Sequence, residues 1–85
     1  MRIADLLREG IIAPGMMFRL RRIGTNAVVT DSGLLDVQGD LYDSPSRAAE
    51  AILHRATNGW QAWEFQDSAG RWKPIDELRQ RLPKR

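Results

Sequence analysis

Ser44-Pro45-Ser46-Arg47-Ala48-Ala49-Glu50-Ala51-Ile52-Leu53-His54-Arg55-Ala56-Thr57-Asn58-Gly59-Trp60-Gln61-Ala62-Trp63 holds a helix start, an apolar helical face, a helix stop and two of the three tryptophans of an 85-residue chain. Ser44 reads as an N-cap and Pro45 as the first helical residue, where its missing N–H costs nothing. Ala48, Ala49, Ile52, Leu53 and Ala56 share one helical face, and Arg47, Glu50, His54 and Arg55 lie off it. The alanines permit close approach to whatever lies beneath. Asn58-Gly59 reads as the stop, because both residues tolerate the left-handed conformation of a C-terminal cap.

Upstream, Ile3, Leu6 and Leu7 recur at helical spacing before Gly10, so residues 2–9 read as a short helix. Ala13-Pro14-Gly15 meets both demands of a type II turn. Met16, Phe18 and Leu20 alternate with Met17, Arg19 and Arg21 as in a half-buried strand, and Arg22 breaks the alternation. Gly24-Thr25-Asn26, Asp31-Ser32-Gly33 and Gln38-Gly39-Asp40 are turn chemistry around Ala27–Thr30, Leu34–Val37 and Leu41-Tyr42, an antiparallel meander. Downstream, Ala62–Gln66 is strand-like with Trp63 and Phe65 on one face. Asp67–Gly70 turns the chain and Trp72 starts a short extended piece. Ile75, Leu78 and Leu82 mark a final helix, and Pro83-Lys84-Arg85 forms a basic tail. The expected fold is α+β: a small antiparallel sheet of four to five strands packed on a central helix, with short N- and C-terminal helices, as one domain over residues 1–85.

A chain of this length buries only roughly 60% of its unfolded surface, which allows one core and no spare layer. It has no cysteine, so disulfides and thiolate metal sites are excluded, a composition that suits a reducing cytoplasm. No apolar run approaches the roughly 20 residues of a membrane span, so a soluble, cytoplasmic protein is expected. A net charge of +2 does not announce a nucleic-acid binder, but its distribution says more. Residues 1–30 set five arginines against Asp5 and Glu9, and residues 44–85 set eight basic against five acidic residues. Residues 31–43 carry Asp31, Asp36, Asp40 and Asp43 with no base, and should face away from a polyanion.

Few residue types that do catalysis are present. His54 is the only histidine, so there is no His pair for a metal and no choice of partners for a nucleophile. The four aspartates fit no calcium-loop spacing and have a local explanation in hairpin turns. Glu64-Phe65-Gln66 lacks the lysine of a nuclease strand, and no glycine-rich phosphate loop occurs. No catalytic residue, metal or cofactor is expected.

Polar and aromatic groups converge instead at the two ends of the central helix. Ser44, Ser46 and the free N–H groups beside them form a seat for a phosphate, with Arg47 one turn in; the competing reading is that Ser44 only caps the helix. At the other end Trp60 and Trp63 are either both core, or one is core and one stacks a base. Trp63 alternates with Phe65 and looks like core, which leaves Trp60 as the better working face.

These residues resemble the RAMA domain, the restriction-enzyme adenine methylase associated module, also described as a restriction-system modified-DNA reader domain. The resemblance rests on Leu6-Leu7-Arg8-Glu9-Gly10-Ile11-Ile12-x-Pro14-Gly15, Asp31-Ser32-Gly33-Leu34, Gly39-Asp40-Leu41-Tyr42-Asp43-Ser44-Pro45-Ser46-Arg47-Ala48-Ala49, Asn58-Gly59-Trp60-x-x-Trp63 and Leu78-Arg79. It implies a small α+β domain that binds DNA and recognises N6-methyladenine, alongside a methyltransferase or restriction nuclease as partner. By carry-over Ser44, Ser46, Asn58, Trp60 and Arg79 face DNA and Trp63 is scaffold or pocket wall; Gly59 of the same motif is counted with the DNA-binding residues, and Arg47 and Arg79 are expected on phosphates. The chain departs from the pattern at His54, where a glycine would end the helix, and at Ala62, where a larger apolar residue is common. The first departure predicts a longer helix and a shifted Asn58, the second a wider space beside Trp60. The expected function is thus a non-enzymatic DNA-binding module, with a protein-interaction or targeting module that tethers a larger enzyme as the alternative.

Overall fold

The hydrophobic alternation and turn residues fold as read, with three differences that move the site. The computed structural model describes residues 2–81; Met1, Leu82 and the Pro83-Lys84-Arg85 tail lie outside the described residues. Helix α1 (Ile3–Arg8) buries Ile3 and Leu6 and stops at Gly10, which takes φ 76°. In the turn that follows, the Met16 N–H donates to the Ala13 carbonyl at 3.1 Å and Gly15 takes φ 88°, a backbone conformation that favours glycine.

Strands β1 (Met17–Leu20), β2 (Asn26–Val29), β3 (Leu35–Val37), β4 (Asp40–Tyr42), β5 (Trp63–Gln66) and β6 (Trp72–Pro74) form one antiparallel sheet in the order β4-β3-β2-β1-β5-β6. Phe18, Leu20, Ala27, Val29, Leu35, Val37, Trp63 and Phe65 are buried on one face. The opposite face leaves Met17, Val28 and Leu41 exposed in a row across four strands, interrupted by Asp36. The sheet thus has six strands where four to five were expected. The extra member is β6, the short extended piece at Trp72, whose three residues are too few for alternation to mark it as a member of the sheet. It pairs with β5 through Gln66↔Trp72 and Glu64↔Pro74, and Pro74 is tolerated because this is an edge strand. At the β5–β6 turn the Asp67 carboxylate accepts the N–H groups of Arg71 and Ala69. Chiefly the Arg71 bond, helped by Ala69 and the nearby Lys73, holds its pKa below the ordinary 3.8.

Helix α2 (Pro45–Leu53) ends before Ala56, not at Asn58-Gly59. His54 itself takes the left-handed conformation, φ 58°, and its N–H bonds the Glu50 carbonyl at 2.8 Å. The glycine that the helix end would favour is absent, yet the helix is not lengthened. Asn58 then starts a new element rather than stopping one: it caps the one-turn helix α3 (Gly59–Ala62), its Oδ1 accepting from the Trp60 N–H at 3.1 Å. Asn is a good residue for both duties, so an Asn-Gly pair alone cannot distinguish a stop from a start. Helix α4 (Asp76–Arg79) closes the unit with Leu78 buried. Among the described residues no helix is long and apolar enough to cross a membrane.

Two stability tests follow. His54→Gly should stabilise the fold by about 0.5–1 kcal/mol, the left-handed strain relieved less the entropy that glycine adds to the unfolded chain; a lowered melting temperature would contradict the assignment of this helix end. For Asp67, a lowered folded pKa means stabilisation present above the unfolded value and lost as pH falls through the folded one. Asp67→Ala should therefore lower the urea midpoint at neutral pH, and the deficit should shrink at pH about 2.

Candidate nucleic-acid interface

Ser46 and Gly59 lie 13 positions apart in sequence, and the two touch: the Gly59 N–H donates to Ser46 Oγ at 2.9 Å. The helix start and the Asn-Gly-Trp corner therefore meet at one end of α2 instead of marking its two ends. A Cβ on Gly59 would lie 2.1 Å from the Pro45 carbonyl carbon and 2.2 Å from the Ser46 nitrogen, so close backbone approach is what demands glycine here. The Trp63 indole N–H donates to the Pro45 carbonyl at 2.9 Å, fully buried. Ser44 caps α2, its Oγ accepting from the Arg47 N–H at 3.3 Å. Trp63 is scaffold, and Ser44, Ser46 and Gly59 are engaged in holding α3 against α2.

Trp60 needs a correction. It is 8% exposed, and the Arg79 guanidinium lies 4.5 Å above its ring. Arg79 is in turn fixed by Asp76, whose Oδ1 accepts its Nε at 2.7 Å and pairs with its terminal nitrogen, while Asp76 Oδ2 accepts from Gln61 at 3.2 Å. The open stacking face expected of Trp60 is covered, and the cation expected on a phosphate is already neutralised. In a chain with few large side chains the core claims this tryptophan too. Of the residues expected to face DNA, Arg47 and Asn58 stay exposed, and Asn58 has its oxygen committed to the α3 cap.

Beside Asn58 the structure opens a cleft of about 530 Å³. Arg21 and Arg22 enter it from the β1–β2 loop, and Arg55 from the loop joining α2 to α3. Leu20, Leu53, Ala56 and Ala62 supply apolar lining, and Thr57, Asn58 and Gln61 supply polar lining; no acidic residue takes part. The ion pairs among the described residues lie elsewhere, as Arg8–Asp5, Arg19–Glu64, Lys73 with Asp67 and Glu77, and Arg79–Asp76. Arg21, Arg22 and Arg55 have no carboxylate partner in that set. A smaller hollow of about 260 Å³ adjoins, lined by Arg19, Arg22, Ile23 and Gly24, and there Arg19 stacks 3.9 Å over Trp72.

Local chemistry fixes both walls. Arg22 breaks the strand alternation because it turns at φ 71°, and the loop closes through Gly24 N–H to Leu20 O at 2.9 Å and Leu20 N–H to Thr25 O at 2.7 Å. The other wall is pinned where the Thr57 N–H donates to Glu50 Oε2 at 3.1 Å, and the Arg21 N–H ties the two together at Ala62 O, 2.9 Å. Sequence reasoning missed Arg21, Arg22 and Arg55 as site residues. The signal available was the Arg-Arg doublet at the point where alternation fails, just before Gly24.

A family model described as Restriction Enzyme Adenine Methylase Associated matches residues 1–85. No curated protein matches the chain.

Since no rotamer can relieve a backbone clash, Gly59→Ala should destabilise the fold by about 3 kcal/mol or more, against about 1–2 kcal/mol for Ser46→Ala, which only orphans one N–H. Urea denaturation of both variants checks the order; equal effects would mean that α3 does not depend on the close approach.

Proposed function

The chain belongs to the RAMA family, and we propose on that footing that it is a non-enzymatic DNA-binding module whose contact surface is the arginine cleft between the β1–β2 loop and the α2–α3 loop. The observation that carries this reading is the concentration of Arg21, Arg22 and Arg55 in one cleft with no acidic lining, while the ion pairs of the described residues occupy other cations. Arginine suits this task because its planar fork matches phosphate oxygens and base edges. The aspartates of residues 31–43 sit on β3, β4 and their turns, the end of the sheet opposite β6, so they do not oppose a polyanion at the cleft.

The finer reading is that the domain recognises N6-methyladenine within a cytoplasmic restriction-modification or related DNA-processing system, with a nuclease or methyltransferase as partner. One methyl on an apolar surface is worth roughly 0.8 kcal/mol from transfer, about a factor of four. Methyl recognition is thus a modest preference on top of phosphate binding. With Trp60 covered by Arg79, we assign it to the small apolar side chains Ala56 and Ala62 beside Asn58.

A second reading, a targeting module that tethers a larger enzyme, draws on the exposed Met17, Val28 and Leu41 on the uncovered sheet face. The two readings place the partner on different surfaces and so separate by mutation.

Titration of methylated and unmethylated duplexes across salt tests the proposal. Three phosphate contacts give a log–log slope of about −2.7, so affinity should fall about 40-fold between 50 and 200 mM salt. The triple variant R21A/R22A/R55A should lose most of that slope. Flat binding would sink the DNA proposal, equal affinities for the two duplexes only the methyl preference. Loss of partner co-purification on Val28→Asp with DNA binding intact would favour the tether.

A further inference from the structure

A DNA backbone is convex, and cations on a flat surface suffice to hold it. The cleft of about 530 Å³ offers more than that: Arg21, Arg22 and Arg55 share its lining with Leu20, Leu53, Ala56 and Ala62 and with Thr57, Asn58 and Gln61. Its volume lies within the range of small-ligand sites, and the combination of apolar lining with a few convergent polar groups is theirs as well. Buried against nothing, the apolar part would be idle in a purely electrostatic interface.

The walls are built to keep this shape. Arg22 in its lining and His54 beside it, two of the three non-glycine residues with positive φ among the described residues, take φ of 71° and 58°, and such conformations persist only where surrounding structure enforces them. His54 begins the loop that carries Arg55, and that loop is bonded back to Glu50 through the Thr57 N–H and to Ser46 through the Gly59 N–H. Two alanines, Ala56 and Ala62, keep the space open where larger side chains would fill it. No aromatic ring lines the cleft, but guanidinium planes also stack unpaired bases.

Resting on the reading of this chain as a DNA binder, we propose that the cleft holds a single unstacked nucleotide of the DNA strand: its phosphate on Arg21, Arg22 and Arg55, its base against Ala56 and Ala62, and its edge toward Gln61 and the Asn58 amide. The Asn58 oxygen caps α3 and the Gln61 amide nitrogen bonds Asp76. What remains is a donor from Asn58 and an acceptor from Gln61, a pair that matches the N7 and N6–H of an adenine. The domain therefore prefers a site where a base leaves the stack at little cost, such as a mismatch or a single strand, over a fully paired one.

The full 85-residue chain is titrated with short DNA in which a target adenine, with 2-aminopurine as its stacked neighbour to report its departure, is either paired in a duplex, opposite an abasic site, or in a single strand. The wild type should bind the abasic-site duplex and the single strand about tenfold more tightly than the paired duplex, with 2-aminopurine emission rising on binding. Ala56→Leu fills the cleft from an exposed loop position, so the fold is not at risk. It should bring all three affinities within about twofold while the salt slope persists. Equal wild-type affinities and unchanged emission with the salt slope intact would overturn the nucleotide cleft and leave the DNA-binding reading standing. Absence of salt-dependent binding to any of the three would overturn both.

Discussion

The buried indole of Trp63 sets the terms for the rest of the molecule. A tryptophan that buries 150–250 Å² contributes roughly 4–6 kcal/mol at 25 cal/mol per Å², comparable to the net stability of a whole small domain. That gain is kept only if the ring N–H finds an acceptor, since an orphaned buried donor costs about 1–3 kcal/mol. The acceptor is the Pro45 carbonyl, so the start of α2 must lie over the start of β5. The one-turn helix between them then has to cross Pro45–Ser46 at backbone distance, which only Gly59 permits. Ser46 Oγ takes up the N–H exposed by that crossing. A single side-chain burial thus selects a proline carbonyl, a glycine and a serine far away in sequence.

This chain of necessity explains what could be read in advance. Period-two alternation placed Phe18 and Leu20, and Trp63 and Phe65, on the covered face, because sheet burial is a local pattern repeated along a strand. Turn residues marked the meander because their backbone preferences are local too. The end of α2 was misread because His54, a residue with a side chain, takes the left-handed conformation that a glycine was expected to take. Helix α3 escaped because four residues hold no period, and the extended piece at Trp72 reads without its place in the sheet for the same reason. The cleft escaped for a different reason: Arg21 and Arg55 are neighbours only through the pairing of β1 with β5 and the Arg21–Ala62 backbone bond, a contact that no local pattern encodes.

Electrostatics set two groups of cations apart. Arg8, Arg19, Lys73 and Arg79 face carboxylates, and three of these partnerships lie within one turn or hairpin, where close sequence spacing makes pairing cheap. Arg21, Arg22 and Arg55 take no part in those ion pairs, and Glu50, on the helix that leads to Arg55, accepts the Thr57 N–H instead. Glu50 thus shapes the loop beneath Arg55 through a backbone bond without neutralising the guanidinium. A net charge of only +2 conceals this separation, since the compensating aspartates lie on β3, β4 and their turns.

The motifs that identify the family are the ones with the strongest structural explanation. Ser44-Pro45-Ser46 and Asn58-Gly59-Trp60 are accounted for by a cap, a close crossing and a covered ring, none of which needs a ligand. A shared motif of this kind reports a shared way of folding, and the ligand has to be read from what the fold leaves unpaired. Here that is the arginine cleft, whose cations Arg21, Arg22 and Arg55 stand outside both motifs. The scaffold is therefore free to stay constant while Arg21, Arg22, Arg55, Ala56 and Ala62 vary with what is bound, because none of these five supplies a side-chain group that the Trp63 clamp requires.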